Sequence, residues 1–459
     1  MVTAAPWLFG AWEMWWFWPL AGLIFLGTTF SGLLAITGGC SLRPPRLAVV
    51  IAVVFVPFLM YASARFFLAG VWQDAEKSLM LHLTAFLLSV QIVFFMSERA
   101  RKILLWTLAV NLCLIGIYGI VNHIFWGSAR VLWVPGYDTY LREHRATGSY
   151  FCPDHFAGAM EILMAVSLGF ALSRDSGRTA RLAGSAMAVI ALAAVLLSKS
   201  RGGGLTVLMM GAAALAWGFH QWPRRIRMWW RVIGVAAAGL ALALVVLCAR
   251  SYVDRFVSYW QCGEADGRLA GLARAWRESC RGRMYGAALR AWRTSPVWGI
   301  GPGMHQNLWP HFAATEDGDR EGGVWPSMPN YDFHSYEVHR DWLQLLEEHG
   351  IAGMILFLPA VVACFAFLLR GLRCESLLWE KSEWRGPGTG CCAAILGGIL
   401  AGVAMAFHSL GDFNLQIPAN TWLLSSVAAC GIACACRAAD QMECRQCRPA
   451  VECRTRRDT

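Results

Sequence analysis

The sequence predicts an all-α polytopic membrane protein of about eleven transmembrane helices, with one large extracytoplasmic loop capping the bundle. Three observations predict this class. Hydrophobic residues make up 57% of the 459 positions and charged residues only 15%, against roughly 25% charged in soluble domains, and the mean hydropathy is +0.45. Apolar runs of the length a bilayer crossing needs, about 20 residues, recur along the chain. Basic residues alternate between successive short connections, as the positive-inside bias requires.

On the length criterion the spans lie near 16–38, 46–64, 79–97, 103–123, 155–173, 181–198, 203–219, 230–249, 351–370, 390–410 and 416–436. They divide the chain into helices 1 to 4 with a first outer loop (1–154), helices 5 to 8 (155–248), a large polar loop (249–350), helices 9 to 11 (351–436) and a cytoplasmic tail (437–459). No internal period of 20 to 50 residues repeats, which argues against a repeat array. Met1 to Trp18 has no basic n-region, so no cleavable leader is expected.

Orientation follows from the short loops. Arg43 and Arg46, then Arg99, Arg101 and Lys102, then Arg174, Arg178 and Arg181, then Arg224, Arg225, Arg227 and Arg231, then Arg370, Arg373, Lys381 and Arg385, fall on one side with the arginine-rich tail. That side is assigned to the cytoplasm. The odd span count then puts the N-terminus outside and the C-terminus inside. Four connections of unusual composition, 124–154, 199–204, 249–350 and 411–416, share the opposite face. The formal net charge of +10 is explained by this topology, and no nucleic-acid partner is expected. The 23 Trp and 24 Phe supply aromatic belts at the interfaces.

The residues that can carry chemistry sit in those four connections. In Ser198-Lys199-Ser200-Arg201-Gly202-Gly203-Gly204, two cations lie between adjacent spans, where charge is costly and usually serves a ligand or a pathway. The glycines admit a close backbone or phosphate, and a short outer turn with a snorkelling Arg201 is the alternative. Arg283 and Arg290 lie two turns apart on one face of a helix over 283–293. A guanidinium fork suits a pyrophosphate oxyanion, although a solvated basic face accounts equally for Arg290 and Arg293. The turn Pro296 to Gly303 has glycines suited to tight packing or close backbone approach.

His339, just ahead of the ninth span, is a candidate general base, with His305, His334 and His349 as competitors. The acids Glu316, Asp317, Asp319 and Glu321 form an exposed run in which no glycosidase-like pair stands out. Arg145 opens a segment running through Asp154 and His155 into the fifth span, and is a further candidate cation for substrate binding. His408 and Asp412 flank the last outer connection, where pairing with arginines would make structural locks.

Sixteen cysteines lie mostly in apolar segments, where a thiol behaves as a small hydrophobe. The tail carries Cys444-Arg445-Gln446-Cys447, which leaves a zinc knuckle and a reduced tail as alternatives. Cys262 and Cys280, both in the large loop, are a candidate disulfide in an oxidising compartment.

Taken together, Ser200-Arg201-Gly202 ending a span, Arg283 ahead of Pro296 and Gly299-Ile300-Gly301, His339-Arg340-Asp341-Trp342-Leu343-Gln344 followed by Glu348 and Gly350-Ile351, and His408 with Asp412-Phe413-Asn414 resemble the bacterial O-antigen ligase and O-antigen polymerase superfamily, which includes protein O-oligosaccharyltransferases. The resemblance covers roughly residues 145 to 425. Arg340 stands where the family commonly has Asn, and Asp154 where an Asn often precedes the fifth span.

The resemblance implies a GT-C-like bundle in the bacterial inner membrane, with its large loop in the periplasm. It implies transfer of a glycan from an undecaprenyl-pyrophosphate carrier to an acceptor hydroxyl of a glycolipid, glycan or protein, without a metal ion or other cofactor. Its implied site has His339 and Arg283 as catalytic residues, and Arg201, Arg283, Arg145 and Arg290 as substrate-binding residues. Polymerase and protein glycosylase remain alternatives within the superfamily. A lipid-linked glycan transporter or flippase is the alternative of another class, and a non-catalytic envelope scaffold a third.

Overall fold

The computed structural model describes residues 1–38, 46–128, 132, 144–173, 175–221, 280–313, 335–380 and 391–455. Helices supply the regular structure of these residues: α1 (Met14–Ile36), α2 (Arg46–Phe67), α3 (Trp72–Val90), α4 (Glu98–Trp126), α5 (Pro153–Leu172), α6 (Arg178–Ser198), α7 (Arg201–Gln221), α8 (Cys280–Thr294), α9 (His305–Ala313), α10 (Asp341–Glu380), α11 (Cys391–His408) and α12 (Pro418–Thr455). A π-helical turn, Gln91–Phe95, extends α3. Nine helices among the described residues are long and apolar enough to cross a membrane, namely α1 to α6 and α10 to α12. The expected spans each fall on one of these or on α7, except 230–249, which lies outside the described residues with Cys262 and the acidic run at 316–321.

Local chemistry sets the helix limits. Ser97 caps α4 by accepting a 3.2 Å bond from Ala100 N–H, and Gly127 ends the helix in the left-handed conformation. Pro153 occupies the first turn of α5, where its missing N–H costs nothing, and Asp154 in the same turn complements the helix dipole. Lys199 takes φ 52° and breaks the chain between α6 and α7.

The innermost helix is α5, with 94% of its apolar window buried. Its neighbours approach at backbone distance. A Cβ on Gly169 would lie 2.5 Å from the Ala393 carbonyl of α11, and one on Gly184 of α6 would lie 2.7 Å from the Ser167 carbonyl. Small residues at helix crossings are how membrane helices gain packing without a hydrophobic driving force.

The turn after α8 is stitched onto a break in α10. Gly350 has φ 65° and ψ −170° inside that helix, which leaves carbonyls before it and N–H groups after it without helical partners. The turn takes them up: Ile300 N–H donates to Glu347 O at 2.9 Å and Gly301 N–H to Glu348 O at 3.0 Å, while Ile351 and Ala352 N–H donate to Pro296 O and Val297 O, each at 3.0 Å. Gly299 crosses at φ 74°, with its would-be Cβ 2.4 Å from the Glu348 carbonyl. The glycines of this turn thus serve close packing against α10, and α10 starts ten residues earlier than the expected span, at Asp341. These bonds join the first turns of α10, the end of α8 and the turn between α8 and α9 into one cap.

Candidate functional site

The four unusual connections meet at one end of the bundle. Arg145 is buried; its Nε donates to Ser198 O at 2.7 Å and its guanidinium pairs with Asp154 at 2.6 Å. Asp154 also accepts a hydrogen bond from Ser200. The first outer loop is thereby tied both to the α6–α7 break and to the start of α5. Arg201 follows Ser200 as the first residue of α7, and the next residue, Gly202, lies against His408: a Cβ there would be 2.6 Å from His408 Cδ2.

The α11–α12 connection runs through the centre. His408 Nδ1 lies 2.6 Å from Glu161 Oε1, and His408 Nε2 lies 3.8 Å from Asp412 Oδ2. The other Asp412 oxygen is 3.5 Å from His339 Nδ1. Burial opposes the charge of Asp412, but the close His339 imidazole and the neighbouring His155 and His408 outweigh it and hold the carboxylate well below its usual range. Phe413 is wedged between two imidazoles, edge-on to His155 at 4.4 Å and to His339 at 4.5 Å. Asp341, the first residue of α10, accepts from Ser409 Oγ at 2.7 Å and from Leu415 N–H at 3.0 Å, and its own N–H donates to Asp412 O at 3.2 Å.

His339 is held by its backbone in a conformation unusual for its type, φ 58°. Tyr285 of α8 donates to the His339 carbonyl at 3.0 Å, and Arg281 of the same helix donates to Gly411 O. Arg283, half-buried, belongs to the same helix, but it lies two residues from each of these anchors, so its side chain leaves α8 on a different face from theirs. The His339 side chain keeps 32% of its surface exposed whereas that of Asp412 keeps 4%, so the imidazole is the member of the pair open to a ligand.

The structure brings His339 and Arg145 to this connection, and Arg201 adjoins it as the residue before Gly202, which packs on His408; Arg283 shares a helix with Arg281, which binds Gly411 O. Arg290 stands apart, nine residues beyond Arg281 and so about 13 Å further along α8. It is exposed, and its guanidinium binds Phe312 O at 2.6 and 3.0 Å, joining α8 to α9. Among the competing histidines, His305 is buried against Glu347 at 2.9 Å and Ser335 at 3.1 Å, and His349 is buried among Phe58, Tyr61 and His82. His334 lies outside the described residues. Among the described residues no three His, Cys, Asp or Glu side chains converge as a metal-binding group.

Glu161 escaped the sequence reading, although its signal was present: a carboxylate well inside an apolar span is functional until shown otherwise. Asn420 was not singled out either, and Asn414 entered only as part of the Asp412-Phe413-Asn414 motif. Asn420 Nδ2 bonds Asn414 Oδ1 at 2.9 Å and the His155 carbonyl at 3.0 Å, and Tyr150 OH donates to Asn420 Oδ1 at 3.0 Å. This network fixes the α11–α12 connection against α5.

Beneath the site lies an apolar cavity of about 310 Å³ between α2, α3, α10, α11 and α12. Asp341 and Trp342 line its upper end and Ala48 and Ile432 its far end. Along α10 its lining runs from Asp341 to Leu368, about 40 Å of helix.

No curated protein matches the chain. A family model described as O-antigen ligase matches residues 186–358, a segment that contains Arg201, Arg283, Arg290 and His339 and ends just beyond the Gly350 break. The remaining members of the cluster, Arg145, Asp154, Glu161, His408 and Asp412, lie outside the matched segment and are joined to it only in space. This match, with the polytopic helical architecture, supports membership of the O-antigen ligase superfamily of membrane proteins.

Proposed function

We propose that the protein is a membrane glycosyltransferase that moves a glycan from an undecaprenyl-pyrophosphate carrier to an acceptor hydroxyl on the extracytoplasmic face of a bacterial inner membrane. The family match supports activity of the ligase or polymerase type in general; the donor, the acceptor and the roles below are our reading. The observation that carries it is the pairing of His339 with the buried carboxylate of Asp412, with α8 tied to the same connection by Arg281 and an apolar cavity below.

Each part suits one requirement of the reaction. The acceptor oxygen bonds to the anomeric carbon, its proton passes to His339, and the electron pair of the broken carbon–oxygen bond leaves on the pyrophosphate. With Nδ1 turned to Asp412, Nε2 of His339 is the nitrogen free to take the proton. Arg283 and Arg201 neutralise the charge that grows on the departing diphosphate, where a fixed cation lowers the barrier most. The cavity accommodates a polyprenyl chain by apolar burial. Arg145 acts on the site through Asp154, and Arg290 through the α8–α9 junction. No metal or other cofactor is required for these steps.

Reconstituted vesicles test the proposal. Wild-type protein, supplied with lipid-linked oligosaccharide and acceptor glycolipid, forms a new glycosidic bond, and His339→Ala and Arg283→Ala insert stably yet form none. Near-normal transfer by both variants overturns the assignment. Movement of donor lipid across the bilayer with no new bond in the wild type would instead make the protein a transporter.

A further inference from the structure

Glu161 lies eight residues into α5, about 12 Å from its start, and its residue is fully buried. An ionisable group at that depth is costly unless it is paired. Among the described residues its only hydrogen bond is to His408 Nδ1, at 2.6 Å; Glu161 Oε2 has no partner. The His408 ring is confined from the other side by Gly202, where any side chain would collide with Cδ2. Held at Nδ1 and packed at Cδ2, the imidazole points Nε2 at Asp412, whose second oxygen faces His339.

We propose that Glu161 and His408 are positioning residues for His339, acting through Asp412 as an alternating row of carboxylate, imidazole, carboxylate and imidazole that leads from inside the bundle to the reacting end. The proposal rests on the reading of His339 as the acceptor base only for its consequence in catalysis; the row itself is a matter of charge and geometry. At 3.8 Å the His408–Asp412 contact is too long for a hydrogen bond, so the coupling there is between charges and no proton need travel along the row.

Its effect is to set how strongly Asp412 acts on His339. The Glu161 carboxyl group engages His408 Nδ1, and positive charge on that ring offsets part of the negative charge of Asp412. Without Glu161 that offset is weakened, and Asp412 acts on His339 more strongly. Remove Asp412, and His339 loses both its orientation and its stabilising anion. The other charged or titratable groups around the row are Cys152, Asp154 and His155 at the start of α5, Arg201 at the start of α7, Arg281 and Tyr285 on α8, Glu337 and Arg340 beside His339, and Asp341 at the start of α10. They are the same in every variant below.

The test is the titration of His339 in histidine-¹⁵N-labelled protein in nanodiscs, with its resonance assigned by its loss in His339→Gln. Glu161→Gln and His408→Gln are expected to move the His339 midpoint upward by about one pH unit, and Asp412→Asn to move it downward by about as much. Glu161→Asp keeps the charge and should return the midpoint toward wild type. In the His408→Gln background, Glu161→Gln should add no further shift, because its effect passes through that imidazole. The acid limb of kcat/KM for glycan transfer should move with the midpoint. A His339 midpoint unchanged in both Glu161→Gln and His408→Gln overturns the proposal, whatever those variants do to activity. If Glu161→Gln fails to fold, His408→Gln alone decides by the same criterion. A shifted midpoint in a protein whose His339→Ala variant still transfers glycan would keep the row and discard the base.

Discussion

Glu161 and His408 stand 247 positions apart in the chain and share a 2.6 Å hydrogen bond with both side chains sealed from solvent. The pair links the most buried helix of the bundle to the connection that carries Asp412. Truncating one partner strands the other, which typically costs about 3 to 5 kcal/mol. His408→Ala should therefore lower the unfolding midpoint of the detergent-solubilised protein sharply, and Glu161→Leu combined with His408→Leu should recover much of the loss. Additive losses in the double variant would show that the two side chains do not depend on one another.

The Gly350 break and the turn that crosses it predict a strong backbone effect. A Cβ on Gly350 would sit 2.3 Å from the Val297 carbonyl at a φ of 65°, a position strained for other residues even in open space. Gly350→Ala should release the cap from α10, seen as faster proteolysis within 295–303 and a lower unfolding midpoint. A variant as resistant as wild type would mean that the stitching is dispensable.

Arg283 should be needed for rate more than for folding. Arg283→Ala is expected to reduce kcat by about 100- to 1000-fold, the usual cost of one well-placed electrostatic donor at a transition state. Arg283→Lys should recover only part of that, because a point charge does not replace a planar fork. A rise in KM with kcat unchanged would assign Arg283 to ground-state binding instead.

Arg145 should behave in the opposite sense. Buried against Asp154 and the Ser198 carbonyl, it holds three chain segments together. Arg145→Met should lower stability, and Asp154→Asn in the same protein should cost less than it does alone, because the two share one ion pair. Equal penalties from Asp154→Asn in both backgrounds would argue against the pairing.

Asp412 gives a pH prediction with a definite sign. Its carboxyl is held below its ordinary range: burial opposes the charge, and the surrounding imidazoles more than compensate. A depressed carboxylate contributes stability that is fully present above its unfolded pKa, about 3.9, and is lost only as pH falls toward the folded value. Asp412→Asn should thus destabilise the protein at neutral pH, and the gap between the two unfolding midpoints should close on strong acidification. A constant gap down to the lowest accessible pH would mean that Asp412 is not ionised in the folded state.

The sequence by itself determined the class and most of the spans. A bilayer crossing requires a continuous apolar run, and that requirement is written in one dimension, so the apolar parts of α1 to α7 and α10 to α12 fall where their residues predict, although α10 begins earlier, at Asp341. It also singled out Arg201, Arg283 and His339, because cations and an imidazole in short connections or ahead of a span stand out against an apolar background. Tertiary structure alone decided what these residues touch. Pairing of Glu161 with His408, the fit of Gly202 against that ring and the separation of Arg290 from the cluster depend on which helix faces meet, and on close approaches between segments far apart in the chain. Periodicity records which face of a helix is apolar and leaves its partner unspecified, so the row behind His339 became visible only once α5, α7 and α11 were packed together.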